Sequence, residues 1–378
     1  MRILMNFVFV GWAAMGPLCA DAHSDGCDAA MRNLLQLGGE EAATFEVLST
    51  RAFSACPASA QTFYNVGLAS SSAGRNKDAL DLFDRALKLE DLPNIRSARG
   101  KIELELGDTQ RGKEDLEAAL KQDPTNQVAL QNLGLLLSRA GDQASATTLL
   151  KRALAGNPSD SATCLNLGIA YTRGKDLEQA KATYVQCLKE TPNFTEAHRN
   201  LAAVLLELGD FAGCQAHLER ASALLPKDVE ILKELAGIYG ETKTFTKQEE
   251  VLKRALKLAP GDGRIMLQLG VALQSQEKYG ESDILLSGLV GKEPKNVSAL
   301  IALGWAQIEL KKYRYAESTL KAALAIEPKN VIARNDLGVM YLRCKQFAQA
   351  QEAFDHVLKI APGNANARKN LEILKPKK

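Results

Sequence analysis

Aromatic residues are scarce, only 6% of the 378-residue chain with two Trp. A core built on large rings, or a nucleic-acid surface that stacks bases on rings, is therefore disfavoured. An excess of either charge is also missing. The 47 basic and 45 acidic residues are spread along the chain, leaving a net +2 and no basic stripe to neutralise phosphates. Nucleic acid is not an expected partner. Beyond the first twenty residues no apolar run approaches the roughly 20 residues that a membrane span needs. There is no Walker loop, HExxH, GxGxxG, GxSxG elbow or CxxC pair, so neither catalysis nor a cofactor is expected. The many carboxylates alternate with Lys and Arg, as solvated helix faces do.

The N-terminus differs from the rest. Arg2 precedes an uncharged run from Ile3 to Gly16, and Pro17, Leu18, Cys19 and Ala20 follow before the polar Asp21. Residues 1–20 read as a secretory signal peptide cleaved near Ala20, since the run is short for an anchor and Pro17 ends it. A lipoprotein signal would want a small residue where Leu18 precedes Cys19. The expectation is an exported, periplasmic protein. Eukaryotic secretion is the alternative, in which Asn193 and Asn296 would be glycosylation acceptors. Losing Cys19 leaves six of seven cysteines, and an oxidising compartment permits disulfides.

What the chain does have is a period. Pro124, Pro158, Pro192, Pro226, Pro260, Pro294, Pro328 and Pro362 each follow the last by 34 residues. In the same register position eight holds Gly67, Gly100, Gly134, Gly168, Ala202, Ala236, Gly270, Gly304 and Gly338, and position twenty is nearly always small. Large apolar residues recur between these marks at helical spacing, as in Leu130, Leu133 and Leu137. Each unit is expected to be two antiparallel helices, broken near position fifteen and stopped by the proline, which forces the preceding residue out of helical geometry. Small residues at positions eight and twenty would face each other and let the two backbones approach. One hairpin cannot bury its own apolar face, so neighbours must stack.

These marks resemble the tetratricopeptide repeat family, and the resemblance covers residues 60–364 as nine repeats. It implies an all-α fold, an α-solenoid coiled as a right-handed superhelix. Departures are a first repeat one residue short, with Asp91 at the proline position, and Gln248 where the sixth repeat should carry a small residue. Gln248 predicts either a loosened stack or an amide turned to the surface. Residues 27–57 read as a degenerate capping hairpin broken at Gly38 and Gly39. Residues 365–378 read as a capping helix with a basic tail of Lys375, Lys377 and Lys378. Cys27 and Cys56 stand at the open end of the first hairpin and are the expected disulfide. Cys164, Cys187 and Cys214 fall at inward positions and read as buried thiols, although the first two lie at opposite ends of one hairpin and could bond. Together with His198 and His217 they form the one Cys/His concentration, but without a recognised metal-ligand spacing no metal site is expected.

The resemblance also implies where partners bind, because the first helix of each repeat lines a concave groove in this family. Position six there is Asn65, Asn132, Asn166 and Asn200 in the N-terminal half, interrupted only by Ala98, a run similar to the asparagine ladder in the repeats of O-linked N-acetylglucosamine transferase. Primary amides can pair with a peptide backbone without choosing its sequence. The alternative is an amide bonded within its own helical neighbourhood. The carboxylate clamp of other family members is missing, its places being taken by Tyr64 and Leu68 or by Gln131 and Leu135. Further along, the inward positions turn apolar: Leu267, Val271, Ile301, Trp305, Ile308, Ile332, Val339 and Leu342. Such a stripe is expected to bind a protein or peptide segment, unless neighbouring helices or a dimer partner cover it. The expected function is a non-enzymatic scaffold for assembling a cell-envelope complex. The alternatives are a subunit of a polysaccharide or pilus export apparatus held by the array's edges, and a metal- or thiol-active protein.

Overall fold

A computed structural model describes residues 24–36 and 42–374. The signal segment, the Gly38 and Gly39 break and the basic tail lie outside the described residues. Those described form helices joined by short turns, and no strand occurs among them. A hairpin of α1 (Ser24–Leu35) and α2 (Ala42–Ala55) comes first. The repeats follow as α3 (Ala60–Ser72) with α4 (Asn76–Leu89), α5 (Pro93–Leu106) with α6 (Thr109–Gln122), α7 (Gln127–Ala140) with α8 (Gln143–Gly156), and α9 (Ser161–Arg173), then α10 (Leu177–Glu190). They continue as α11 (Thr195–Glu207) with α12 (Phe211–Leu224), α13 (Val229–Glu241) with α14 (Phe245–Leu258) and α15 (Gly263–Gln274) with α16 (Tyr279–Lys292). The last are α17 (Val297–Glu309) with α18 (Tyr313–Ile326) and α19 (Val331–Arg343) with α20 (Phe347–Ile360), followed by the single α21 (Ala365–Leu374). Packing divides the chain into two compact units, one through Thr183 and one from Tyr184, so the boundary falls inside α10.

The helix ends follow from local chemistry. Asn126, Asp160, Asp228, Asp262, Asn296 and Asn330, all at position thirty-four, accept hydrogen bonds from the first free backbone N–H groups of the next helix. The second helices stop two residues before the proline. Asp123 and Asn157, which precede Pro124 and Pro158, leave helical geometry at φ −129° and −140°. Position fifteen turns the chain back in the left-handed region. Gly74, Gly107, Gly141 and Gly209 adopt it freely, whereas Lys175, Lys243, Glu277, Lys311 and Lys345 hold it at φ 55–62° at a cost of about 1–2 kcal/mol each.

Position eight has a sharper reason than facing position twenty. A Cβ on Gly67 or Gly338 would lie 2.6 Å from the ring of Phe83 or Phe354, and one on Gly134, Gly270 or Gly304 would reach Leu150, Leu286 or Leu320 at 2.7–2.8 Å. All five neighbours stand at position twenty-four. The glycine is thus the seat of that side chain, and Phe83, Leu150, Leu286, Leu320 and Phe354 are fully buried on it.

In the first unit α3, α5, α7 and α9 pack each on the next, as do α15, α17, α19 and α21 in the second, while second helices make no comparable contact with one another. First helices that approach one another more closely than second helices do must line the inner side of the stack. On both sides of α13 that direct contact between first helices is small or lost. Gln248 is half-buried in α14, and its amide lies over Gly240, where a Cβ would meet Nε2 at 2.7 Å. The extra bulk at position twenty is thus set against a residue with no side chain.

The α1–α2 hairpin packs Met31, Leu34, Phe45 and Ala52 onto Val66 and Ala69 of α3. Cys27 and Cys56 bring their Cα atoms to 4.8 Å and their sulfurs to 2.01 Å. At the other end α21 buries Ala367 against the cluster that contains Tyr341 and Phe354.

Candidate functional site

The inner face of the second unit is charged at its start and apolar toward its end. On α11 and α13 the outward groups are paired: Arg199 makes a bidentate contact with Glu234, and Lys233 bonds Glu230 at 2.9 Å. Gly237 follows at position nine with open space where a side chain would stand. From α15 onward the same row carries Val271, Trp305 and Val339. Val271 is 46% exposed and Ile332, at position two of α19, is 61% exposed. Leu267, Ile301, Trp305, Val339 and Leu342 are half-buried, each resting on the core beneath while keeping part of its surface in solvent. Trp305 is partly roofed by Arg343, whose guanidinium carbon lies 5.8 Å from the ring centroid while its nitrogens hold Glu309 at 2.7 and 3.0 Å.

Ile308 does not belong to this face. It is completely buried in the cluster of Leu337, Met340 and Tyr341, because α19 of the following repeat packs over the last turn of α17. An inward position near the helix end becomes core wherever the next first helix covers it.

The asparagines divide. Asn65, Asn132 and Asn166 belong to the first unit and Asn200 to the second, all half-buried. Asn132 turns its amide back to the carbonyl of Val128 at 2.7 Å, and Asn65 accepts from Gln61 at 2.9 Å. These two bonds lie within their own helices. Asn166 and Asn200 have no hydrogen-bond partner among the described residues, which leaves their amides available.

Charged residues also occupy inward positions. In the second repeat Arg99 stands at position seven, where Leu133, Leu167, Leu201 and Leu235 stand in later repeats. It grips the buried Asp115 through Nε and Nη2 at 2.5 and 2.9 Å and reaches Asp84 at 2.6 Å. Arg96 adds a bond to Asp115 at 3.1 Å and a bidentate pair with Asp91. Glu103, also buried, has one carboxyl oxygen without a partner, and burial, reinforced by the Asp115 charge, pushes its pKa up to about 7. In the last repeat Asp336 is 8% exposed and its pKa is pushed up to about 6 by burial.

The Cys/His concentration resolves into packing. His198 offers Nε2–H to the carbonyl of Pro192 at 3.0 Å, which leaves its Nδ1 to accept from Nδ1–H of His217 at 2.9 Å. Burial and the neighbouring imidazole hold His217 below its ordinary pKa. Cys164 and Cys187 are buried and disulfide-bonded, so the buried-thiol reading holds only for Cys214, whose free thiol burial pushes up to about 11, far from the reactive thiolate range. Among the described residues no three His, Cys, Asp or Glu side chains gather as a metal site, and no helix is long and apolar enough to cross a membrane.

Stacked antiparallel helix pairs with their first helices on the inner side define an α-solenoid of the class that serves protein–protein interaction. The tetratricopeptide repeat pattern matches residues 103–162, 137–204, 173–238 and 307–371, together more than half of the chain, and the chain belongs to that family. It is 33% identical over 89 residues to a photosystem I assembly protein, Ycf3, of Prochlorococcus marinus (strain NATL1A), covering 22% of this chain and 51% of that protein. It is 33% identical over 86 residues to the Ycf3 of Synechococcus sp. (strain CC9902), at 22% and 50%. The chain thus spans about half the length of the curated relatives it matches. Among solved structures, the C-terminal part of a repeat-containing protein from Cytophaga hutchinsonii shares the fold with a TM-score of 0.51 at 17% identity, over 64% of this chain and 98% of that one. A tetratricopeptide repeat protein from Parabacteroides merdae gives 0.46 at 17% identity, over 66% and 98%.

Proposed function

We propose that this chain is an exported, non-enzymatic scaffold that holds protein or peptide segments against its inner helices during assembly of a cell-envelope complex. The observation that carries the reading is the row of Val271, Ile301, Trp305, Ile332, Val339 and Leu342, apolar and only partly covered on consecutive first helices. Apolar surface repeated in register over three repeats is what an extended or helical segment can cover. The matched Ycf3 proteins are named as assembly proteins, which agrees with a scaffold role. Export rests on residues 1–20 and agrees with the closeness of the Cys27 and Cys56 sulfurs.

The reading predicts that Ile301→Glu lowers partner recovery from envelope extract at least tenfold, with the melting profile and helicity of the chain unchanged. Undiminished recovery with a folded variant contradicts it. The export part predicts a mature N-terminus at Asp21, with Cys27 and Cys56 resistant to alkylation until reduced; Met1 retained with both thiols reactive would refute it.

A second reading has its own observation. Ile284 on α16 and Tyr315 on α18 are 77% and 68% exposed, which favours attachment through second helices, as in a subunit held at the array's edge within a polysaccharide or pilus export apparatus.

A further inference from the structure

Asp336 is a buried acidic group at groove position six whose surroundings, among the described residues, supply no cation. On α19, Ile332, Asp336, Val339 and Arg343 follow one another at spacings of four, three and four, so they share a helix face. That face is open at Ile332, carries Arg343 over the Trp305 ring, and holds Val339, which like Trp305 is partly buried against the same core. In the register of the repeats, Asp336 lies between Ala302 of the preceding first helix and Asn370 of α21. The side chain is 8% exposed, yet its only hydrogen bond is a long one, 3.5 Å, from the amide of the adjacent Asn335, whose own oxygen accepts from Asn370 at 3.4 Å.

No ion pair reaches Asp336 among the described residues. The cations on its packing helices are used elsewhere or lie in solvent. Arg343 is committed to Glu309, Lys321 to Glu317 and Arg368 to the carbonyl of Pro362, Arg334 reaches the carbonyl of Pro328 through Nη2 and keeps a buried Nε without a partner, and Arg314, Lys359 and Lys369 are exposed. A buried carboxylate without a cation is costly, and removing its charge should relieve the fold.

We propose that Asp336 is the anchor for a Lys or Arg side chain of the bound segment, so that the groove of this unit takes segments in which a basic residue stands between apolar ones. The inference rests on the groove reading given above. The bound cation would supply the missing charge-assisted hydrogen bonds in a partly dry setting, and Trp305, Ile301 and Val339 would take the apolar neighbours.

The arrangement separates stability from binding. Because the folded-state pKa, about 6, lies above the ordinary carboxylate value of 3.8, the chain is most tolerant of Asp336 below that value and loses stability as pH rises through 6. Asp336→Asn should therefore raise the melting temperature at pH 7.5 relative to wild type and leave it nearly unchanged at pH 4.

The test pans phage-displayed random 12-residue peptides against the full chain. Recovered peptides should be enriched in Lys or Arg flanked by apolar residues. A synthetic peptide from that set should bind wild type at least tenfold tighter than its norleucine counterpart, and Asp336→Asn should reduce that preference to within twofold. Apolar peptides recovered without basic enrichment, or a basic preference that survives Asp336→Asn, overturn the proposal while leaving the groove reading standing. Recovery of no peptide at all overturns both.

Discussion

Asp115→Ala is expected to destabilise the second repeat by about 3 kcal/mol, the low end of what breaking a buried ion pair costs. Asp115 is buried between two guanidinium groups that have been brought into the hairpin to meet it. Without it neither arginine is abandoned, since Arg99 keeps Asp84 and Arg96 keeps Asp91, and for that reason the upper end of the range is not reached. Hydrogen exchange of α5 and α6 amides reads the loss, because a stack of repeats need not unfold in one step. The companion variant Arg99→Leu, Glu103→Leu, Asp115→Leu should be as stable as wild type or more so, as apolar residues replace charges that had to be dehydrated. Protection unchanged in Asp115→Ala would mean that the cluster is surface-like. Glu103 adds a pH signature. Its folded-state pKa of about 7 lies above the ordinary 4.5, so stability is highest below about 4.5 and declines as pH rises through 7. Glu103→Gln should remove that part of the decline.

The second large effect is at the seat of Phe354. Its ring is fully buried on Gly338, so Phe354→Ala is expected to cost about 3–5 kcal/mol and Gly338→Ala about 1–3 kcal/mol by overpacking. The two are coupled. Once the ring is gone an alanine at 338 has room, so the double variant should be less damaged than the sum of the singles. Urea titration of the four proteins by near-ultraviolet and far-ultraviolet circular dichroism measures the cycle. Additive losses would show that the glycine serves some purpose other than receiving the ring.

Much of this fold was legible because it is written once per repeat. The prolines fix where second helices stop, and position eight must be small in every unit. What single positions do was harder to read. The proline register predicts hairpins, and Gly100 and Gly112 do face each other at positions eight and twenty, but it cannot reveal that in five other repeats position eight serves the residue at twenty-four, since both pairings put small residues where backbones approach. Ile308 looked like groove because sequence spacing cannot show that α19 covers the last turn of α17. Asn132 carried the ladder pattern, yet its amide is satisfied one turn back on its own helix. The buried charges were least visible. Arg99 and Asp336 are the residue types of solvated faces, and only their register, seven and six, marks them as inward. That register was the available signal, for Arg99 stands in a column otherwise held by Val66 and leucines, and Asp336 stands at the position that carries Asn132, Asn166 and Asn200 in earlier repeats.

The groove claim is tested most directly by placing a photoreactive amino acid on opposite sides of the second unit and irradiating cells that make the protein. Val271 and Ile332 stand on first helices and Ile284 and Tyr315 on second helices, and all four are exposed, so the fold tolerates the substitutions. The account predicts discrete crosslinked products from positions 271 and 332, lost when Ile301→Glu is added, and none of comparable yield from 284 and 315. Crosslinks confined to 284 and 315 would contradict it and move the functional surface to the second helices.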